Sequence, residues 1–193
     1  MQTAKELFVH ELTDLLDAEQ KLVEALGKMA EDHSEEPKLQ KGFQQHQAQT
    51  EKLVERLQQI FEQLGEEPEQ TECKGIKGLI EERDSFKEED PADDILSIFD
   101  VGAAIKVESY EINAYNSLIE LAEQLSLNKA VKLLSQNLKE EEQTRTKLEA
   151  MSRKLKPDNL GLEEEGEEMG EEEERPARRS PSSARKGRSR RAA

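Results

Sequence analysis

The sequence predicts an all-α protein, an antiparallel four-helix bundle, on three observations. The composition is 37% charged and 4% aromatic, with no Trp, and it is rich in Glu, Lys, Leu and Gln. Such chains form helices with one apolar face and one solvated face, and β-branched residues are too sparse for a sheet protein. Four long stretches place apolar residues at alternating spacings of three and four, the period of a bundle seam. The stretches are joined by two short connections and one long one.

Thr3-Ala4-Lys5-Glu6 has the Thr-x-x-Glu form of a capping box, so a first helix begins at Thr3 and runs to about Asp32. A second helix spans about Lys38 to Leu64, with Gly65 as its stop signal. Residues 66–74 read as loop, and Gly75–Glu88 as a short helix within the connection. Asp90-Pro91 supplies a cap and a first-turn proline for a third helix reaching about Gln124. Ser126-Leu127-Asn128 is a turn, and a fourth helix extends to about Lys156, before Pro157. Two hairpins joined by one long crossover is the connectivity of ferritin-like bundles, whereas cytokine-type bundles need two long crossovers.

Residues 157–193 differ in kind. Leu162–Glu174 is an acidic run interrupted by Gly, and Arg175–Ala193 is rich in Arg, Ser and Pro. Neither buries enough apolar surface to offset its ordering entropy, so the expected division is a bundle over 1–156 and a disordered acidic-then-basic tail over 157–193. The tail carries 10 acidic and 8 basic residues, which leaves 34 against 20 and a charge of −14 on residues 1–156. A bundle this acidic repels nucleic acid and anionic membrane, and only the basic C-terminal end is expected to touch nucleic acid, weakly. Cys73 is the sole cysteine, so neither an intramolecular disulfide nor a cysteine-rich metal site is expected. The first residues carry no basic-then-apolar leader and no apolar run approaches the roughly 20 residues of a membrane span. The expectation is a cytoplasmic protein.

The seams carry the functional signal. The first helix reads Phe8, Leu12, Leu15, Glu19, Leu22, Leu26, Met29, and the second Leu39, Phe43, His46, Thr50, Leu53, Leu57, Ile60, Leu64. The third reads Ile98, Val101, Ile105, Glu108, Ile112, Tyr115, Ile119, Ala122. The fourth reads Val131, Leu134, Leu138, Glu141, then Thr144 or Arg145, then Leu148, Met151 and Leu155. Each is apolar except near its midpoint, where Glu19, His46 with Thr50, Glu108 and Glu141 interrupt it. Antiparallel helices bring their midpoints to one level, so these residues should converge in one buried layer. Buried carboxylates repel and are costly, and they need shared protons, a basic side chain or a cation. Carboxylates with imidazole ligate iron, manganese or zinc, and bundles of this kind hold two metals with such side chains. Glu111, one turn past Glu108, joins the candidate set. Any one of these residues alone is more simply read as a solvated Glu or a hydrogen-bonded core His. Four interruptions at matching depth are harder to produce by accident.

Asp17-Ala18-Glu19-Gln20-Lys21-Leu22, Cys73-Lys74-Gly75-Ile76-Lys77-Gly78-Leu79-Ile80-Glu81-Glu82, Lys106-Val107-Glu108-Ser109-Tyr110-Glu111-Ile112, Leu121-Ala122-Glu123-Gln124-Leu125 and Glu140-Glu141-Glu142 resemble the YciE/YciF family of ferritin-like bacterial stress proteins. The resemblance covers roughly residues 3–156. It implies a ferritin-like bundle with a short helix in the crossover, a homodimer, a di-metal centre of iron or manganese, and a role in stress response. Three departures bear on that centre. His46-Gln47-Ala48-Gln49 stands where the family has His-x-x-Glu, Ser109 where it commonly has His, and Gln143-Thr144-Arg145 where it tends to Ala-Thr-Asp. Arg145, one turn past Glu141, is therefore expected to turn its guanidinium into the layer and take over some of a metal's charge, which would leave a degraded site.

Two functions follow. One is a non-catalytic dimeric bundle whose polar layer fixes helix register. The other is a di-iron or manganese carboxylate protein with oxidase or peroxide-scavenging activity, with Tyr110 or Tyr115 nearby. Phosphate-loop, serine-hydrolase and zinc-protease motifs are absent from the sequence. His10 on an exposed face and His33 in a loop need no role, and Cys73 reads as a structural or incidental thiol. Leu16, Val23, Val54 and Phe61 form second apolar stripes that pack on the crossover helix or on a second chain.

Overall fold

The computed structural model describes residues 1–158. Five helices follow one another: α1 Ala4–Asp32, α2 Pro37–Leu64, α3 Lys74–Glu88, α4 Asp93–Gln124 and α5 Asn128–Ser152. α1 pairs with α2 and α4 with α5 as antiparallel hairpins. The hairpins pack α1 on α4 and α2 on α5, and α3 lies in the crossover against α4 and α1. The all-α, ferritin-like arrangement is the one expected. The tail expected over 157–193 lies outside the described residues from position 159 onward. No described helix is long and apolar enough to cross a membrane.

The ends follow from local chemistry. Thr3 and Glu6 form the expected reciprocal capping box. Gly65 closes α2 at φ 66°, a left-handed conformation that costs glycine nothing. Ser126 takes φ 58°, and the Leu127 N–H bonds back to the Ala122 carbonyl, which turns the chain into α5. The start of α4 corrects the sequence reading. Asp90 adopts φ 54° instead of capping, and the N-cap is Ala92. Asp93 and Asp94 in the first turn face the positive end of the helix dipole instead. α5 ends at Ser152, four residues before the expected Lys156.

Every residue expected in the seam of α1 is buried, as are those of α2 apart from the half-buried Leu64. In α4 the phase differs. Val101, Glu108, Tyr115 and Ala122 are buried as expected, but the alternate positions are Ser97, Ala104, Glu111 and Leu118, with Ile98, Ile105, Ile112 and Ile119 half-buried beside them. In α5 the core takes Ala130 and Asn137, not Val131 and Leu138, and it takes Thr144, not Arg145. Hydrophobicity favoured the larger apolar neighbour at Ser97, Ala104, Glu111, Ala130 and Asn137. Close packing favoured the small and polar residues, because four helix backbones approach at the axis. Leu16 and Phe61 are buried in the same cluster as Cys73 and Ile76 of the crossover.

The core falls into two apolar clusters. One holds Phe8, Leu12, Leu57, Ile60, Tyr115 and Leu134, and the other Leu26, Met29, Phe43, Val101 and Leu148. A polar layer lies between them. A second polar cluster ties the crossover to the bundle beside the second core. Arg83 of α3 donates from Nε to Asp100 Oδ1 at 2.9 Å, and from one terminal nitrogen to Asp100 Oδ2 at 2.8 Å and Asp32 Oδ2 at 2.7 Å. His33, not a free loop residue but the buried C-cap of α1, places Nε2 2.9 Å from Asp100 Oδ2 and Nδ1 3.3 Å from Glu36. Its ring stacks on Phe43 at a centroid distance of 5.6 Å. Lys87 pairs with Asp32, and the Ser97 hydroxyl donates to Glu36.

Candidate metal centre

The layer draws one side chain or more from each bundle helix: Glu19 from α1, His46 and Thr50 from α2, Glu108 and Glu111 from α4, and Glu141 and Thr144 from α5. A 3–4 repeat with both hairpins antiparallel puts these midpoints at one height. Glu19 and Glu108 are fully buried, and Glu111 and Glu141 nearly so. The five candidate ligands come together as two trios, His46 with Glu108 and Glu141, and Glu19 with Glu111 and Glu141. Within each trio one ligand atom per residue lies within 4.8 Å of the others, and Glu141 belongs to both.

With the carboxyls ionised, seven buried donor or acceptor atoms in this layer have no hydrogen-bond partner. They are Glu19 Oε2, His46 Nδ1, both oxygens of Glu108, Glu111 Oε1 and both oxygens of Glu141. Glu19 can bond Glu111, and Glu108 Glu141, only by sharing a proton. His46 Nε2 stands 2.8 Å from Glu108 Oε1, close enough for an ion pair, yet the direction is not that of an N–H donor. Two lone pairs at that distance suit a shared cation better than each other. Burial, and behind it the charge of Glu141, holds the Glu19 carboxyl well above the usual range. Burial with the neighbouring carboxylates does the same to Glu111 and Glu141, and burial pushes Glu108 up to about 8. Burial lowers His46, so its imidazole is neutral, the form that ligates metals. Four carboxyls that resist ionisation for want of positive charge, beside a neutral imidazole, fit a divalent cation pair.

The residues that depart from the family pattern do not supply that charge. Arg145 points away from the layer, its Nε donating to Glu149 Oε1 at 3.1 Å with 43% of the side chain exposed. The expected Glu–His–Arg layer is therefore corrected: Thr144 occupies the buried position, and the guanidinium only tempers Glu108 through space. Gln49 is turned to α5, its Nε2 donating to Thr144 Oγ1 at 2.8 Å and the Glu140 carbonyl at 3.2 Å. The Ser109 hydroxyl bonds its own helix at the Ile105 carbonyl. Tyr115 does reach the layer, donating from its hydroxyl to Glu19 Oε1 at 2.5 Å. Asn137, absent from the sequence-level seam, donates to Tyr115 Oη at 3.0 Å. Tyr110 lies elsewhere, 3.3 Å from Cys73 Sγ.

Comparison with known proteins gives the family and the fold. The domain of unknown function DUF892 matches residues 3–160. The chain belongs to this family, the YciE/YciF group. Protein YciF of Escherichia coli K12 is 38% identical over 149 residues, which is 77% of this chain and 89% of that protein. The crystal structure of the E. coli stress protein YciF superposes with a TM-score of 0.75 at 37% identity, covering 79% of this chain and 96% of that one. YcfI from Rhodopseudomonas palustris gives 0.74 at 39% identity over 77% and 94%. A protein from Xanthomonas campestris, at 17% identity and a TM-score of 0.64, shares the fold. Within the DUF892 chain described here, α1 to α5 are thus the family fold, and the layer is the part whose chemistry its residues must explain.

Proposed function

We propose that this DUF892 protein is a ferritin-like di-metal protein of the stress-associated kind that YciF exemplifies, with iron or manganese held in the mid-bundle layer. His46, Glu108 and Glu141 hold one cation, and Glu19, Glu111 and Glu141 the other. The observation that carries this reading is the set of seven buried atoms that go unpartnered when the carboxyls are ionised, all in one layer whose own side chains include no permanent cation. A structural polar layer that only sets helix register would be expected to satisfy its own hydrogen bonds, because each unmet buried group costs about 1–3 kcal/mol. The non-catalytic scaffold drew on two departures, Gln49 and Arg145, and the internal cation among them, Arg145, faces Glu149.

When bound, redox-active iron or manganese supplies electron transfer to oxygen or peroxide. The chain's own residues bind and orient. The carboxyls release protons as the cations enter, Tyr115 holds Glu19, and apolar residues above and below the layer keep bulk water out. A homodimer fits the half-buried isoleucine row of α4, and light scattering on the purified chain tests it.

The deciding experiment is elemental analysis of the full chain after anaerobic Fe(II) loading and desalting, beside Glu19→Ala. Two ions per chain, with a clear loss in Glu19→Ala, is the expected result. No stoichiometric metal in the parent protein overturns the reading. Peroxide consumption by the loaded protein separates the catalytic form of the proposal from a metal-stabilised bundle.

A further inference from the structure

The two halves of the layer are supported unequally, and the difference runs through residues outside both trios. On the Glu19 side a chain of hydrogen bonds leads outward from the carboxylate. Arg56 Nη1 donates to Asn137 Oδ1 at 2.8 Å, Asn137 Nδ2 donates to Tyr115 Oη at 3.0 Å, and Tyr115 donates to Glu19 Oε1 at 2.5 Å. Each step donates in the same direction, toward the carboxylate, so each polarises the next. Asn137 is braced a second time by donating to the Leu53 carbonyl, and Arg56 by pairing with Glu140 at 2.9 Å. The chain commits Oε1 of Glu19 as an acceptor and leaves Oε2, the atom without a partner, as its ligand oxygen.

The His46 side has no such bracing. A metal-bound histidine ordinarily donates its second ring nitrogen to a carboxylate, carbonyl or water, which fixes its orientation. His46 Nδ1 is buried without a partner. The amide of Gln49, one turn along α2, is spent on α5. Two cavities also approach this side from different faces of the bundle, one of about 40 Å³ between α1, α3 and α4 and one of about 130 Å³ between α2 and α5. Of the five candidate ligands, His46 alone lines them.

We infer that the centre is asymmetric by construction: Tyr115 and Asn137 are positioning residues that make Glu19–Glu111–Glu141 the tight cation position, and His46–Glu108–Glu141 is the weaker, exchangeable position that small molecules reach through the cavities. The inference rests on the di-metal reading above and adds the order of filling and the residues that set it. Neither Tyr115 nor Asn137 is a ligand. They act by holding Glu19 in one rotamer before the cation arrives, which removes an ordering cost at that position only.

The test is a Co(II) titration of the metal-free full chain, followed by calorimetry and by the paramagnetically shifted ring-proton signals of the ligating histidine. The parent protein is expected to fill in two steps, with the imidazole signals appearing in the second. Tyr115→Phe should weaken the first step by about 10- to 100-fold, the usual effect of losing a supporting partner, and leave the second in place. Asn137→Leu should weaken the same step, and it serves if Tyr115→Phe does not fold. His46→Ala should remove the second step and preserve the first. Two equal steps, imidazole signals in the first step, or both steps moved alike by Tyr115→Phe would overturn the asymmetry while leaving the di-metal reading intact. No stoichiometric Co(II) at all would overturn both.

Discussion

The molecule buries two polar clusters, and they solve the same electrostatic problem in opposite ways. Beside the second core, Asp100 is fully buried but meets the Arg83 guanidinium through both oxygens and His33 through one. Asp32 meets Arg83 and Lys87, and no atom of this cluster is among the buried groups without partners. Burial alone would raise the Asp100 carboxyl, but the His33 and Arg83 hydrogen bonds hold it below its ordinary value. In the mid-bundle layer four glutamates meet one neutral histidine, and every one of those carboxyls is pushed up. The first cluster brings its own cations and is finished when the chain folds. The second brings no cation of its own, and a bound metal is what the proposed function would add to it.

The largest effect should come from breaking the self-sufficient cluster. Arg83→Met removes the guanidinium and leaves Asp100 buried and charged, at a cost of about 3–5 kcal/mol. Because Arg83 is the link from α3 to α1 and α4, urea unfolding should also show loosening of the crossover before the bundle melts. A change under about 1 kcal/mol would mean that the pairing contributes little, and the contrast between the clusters would fall with it.

A pH series on metal-free protein separates the clusters by sign. The layer carboxyls have folded pKa values above their unfolded ones, so their favourable contribution is complete below about 4.5. It is lost as pH rises through the folded values, which for Glu108 is about 8. Asp100 and Asp32 are lowered, so their contribution is present above about 3.8 and is lost only as pH falls through their folded values. Burial opposes protonation of His33, but its bonds to Asp100 and Glu36 raise its pKa. Its share is therefore complete below about 6.5 and declines above. The melting temperature of metal-free protein should fall steadily from pH 5 to pH 8.5, and metal-loaded protein should be flat or rise over the same range. Parallel curves would show that no cation enters the layer.

A smaller effect, of the opposite kind to Arg83→Met, is expected from Glu111→Gln. It removes one of four carboxyls whose ionisation the others oppose while keeping the shape. The metal-free protein should gain about 0.5–2 kcal/mol at pH 8, as removing functional strain often does. The same variant should lose the cation of the Glu19 trio, read by metal analysis. A variant that is both less stable and metal-poor would mean that Glu111 is a structural residue.

Much of this was legible in the sequence, for physical reasons that differ by helix. α1 is an amphipathic helix in which every position of the seam read from the sequence is buried, so Glu19 stood out as an interruption and its depth followed. α4 carries isoleucines beside its true axis, and with two greasy phases available the sequence alone favoured Ile112 over Glu111 at the axis. The same bias hid Asn137 behind Leu138, and with it the support for Tyr115. His33, Arg83 and Asp100 lie 67 and 17 residues apart in their pairings, a distance no local pattern spans. A signal was nevertheless present: Arg83 continues the Ile76, Leu79, Ile80 stripe of α3, and Asp100 the Leu96, Ala104, Val107 stripe of α4. A charge on an apolar stripe asks for a buried partner of the other sign.

The smallest predicted effect tests the most specific error of sequence reading. One turn past Glu141, position 144 or 145 had to enter the core, and a guanidinium there would have neutralised the layer from within. The structure buries the Thr144 hydroxyl, which bonds back to the Glu140 carbonyl at 3.0 Å and accepts from Gln49, and it leaves Arg145 in an i,i+4 pair with Glu149. Threonine is the cheaper choice, because its one donor finds a carbonyl in its own helix while a buried guanidinium would need five acceptors. Arg145→Ala should therefore cost less than about 0.5 kcal/mol, the value of an exposed helical ion pair. Metal stoichiometry should be the same in the parent, in Arg145→Ala and in Arg145→Asp. If Arg145→Asp instead took up metal that the parent could not, the cation completing the layer would be Arg145 itself, and the two clusters would be alike after all.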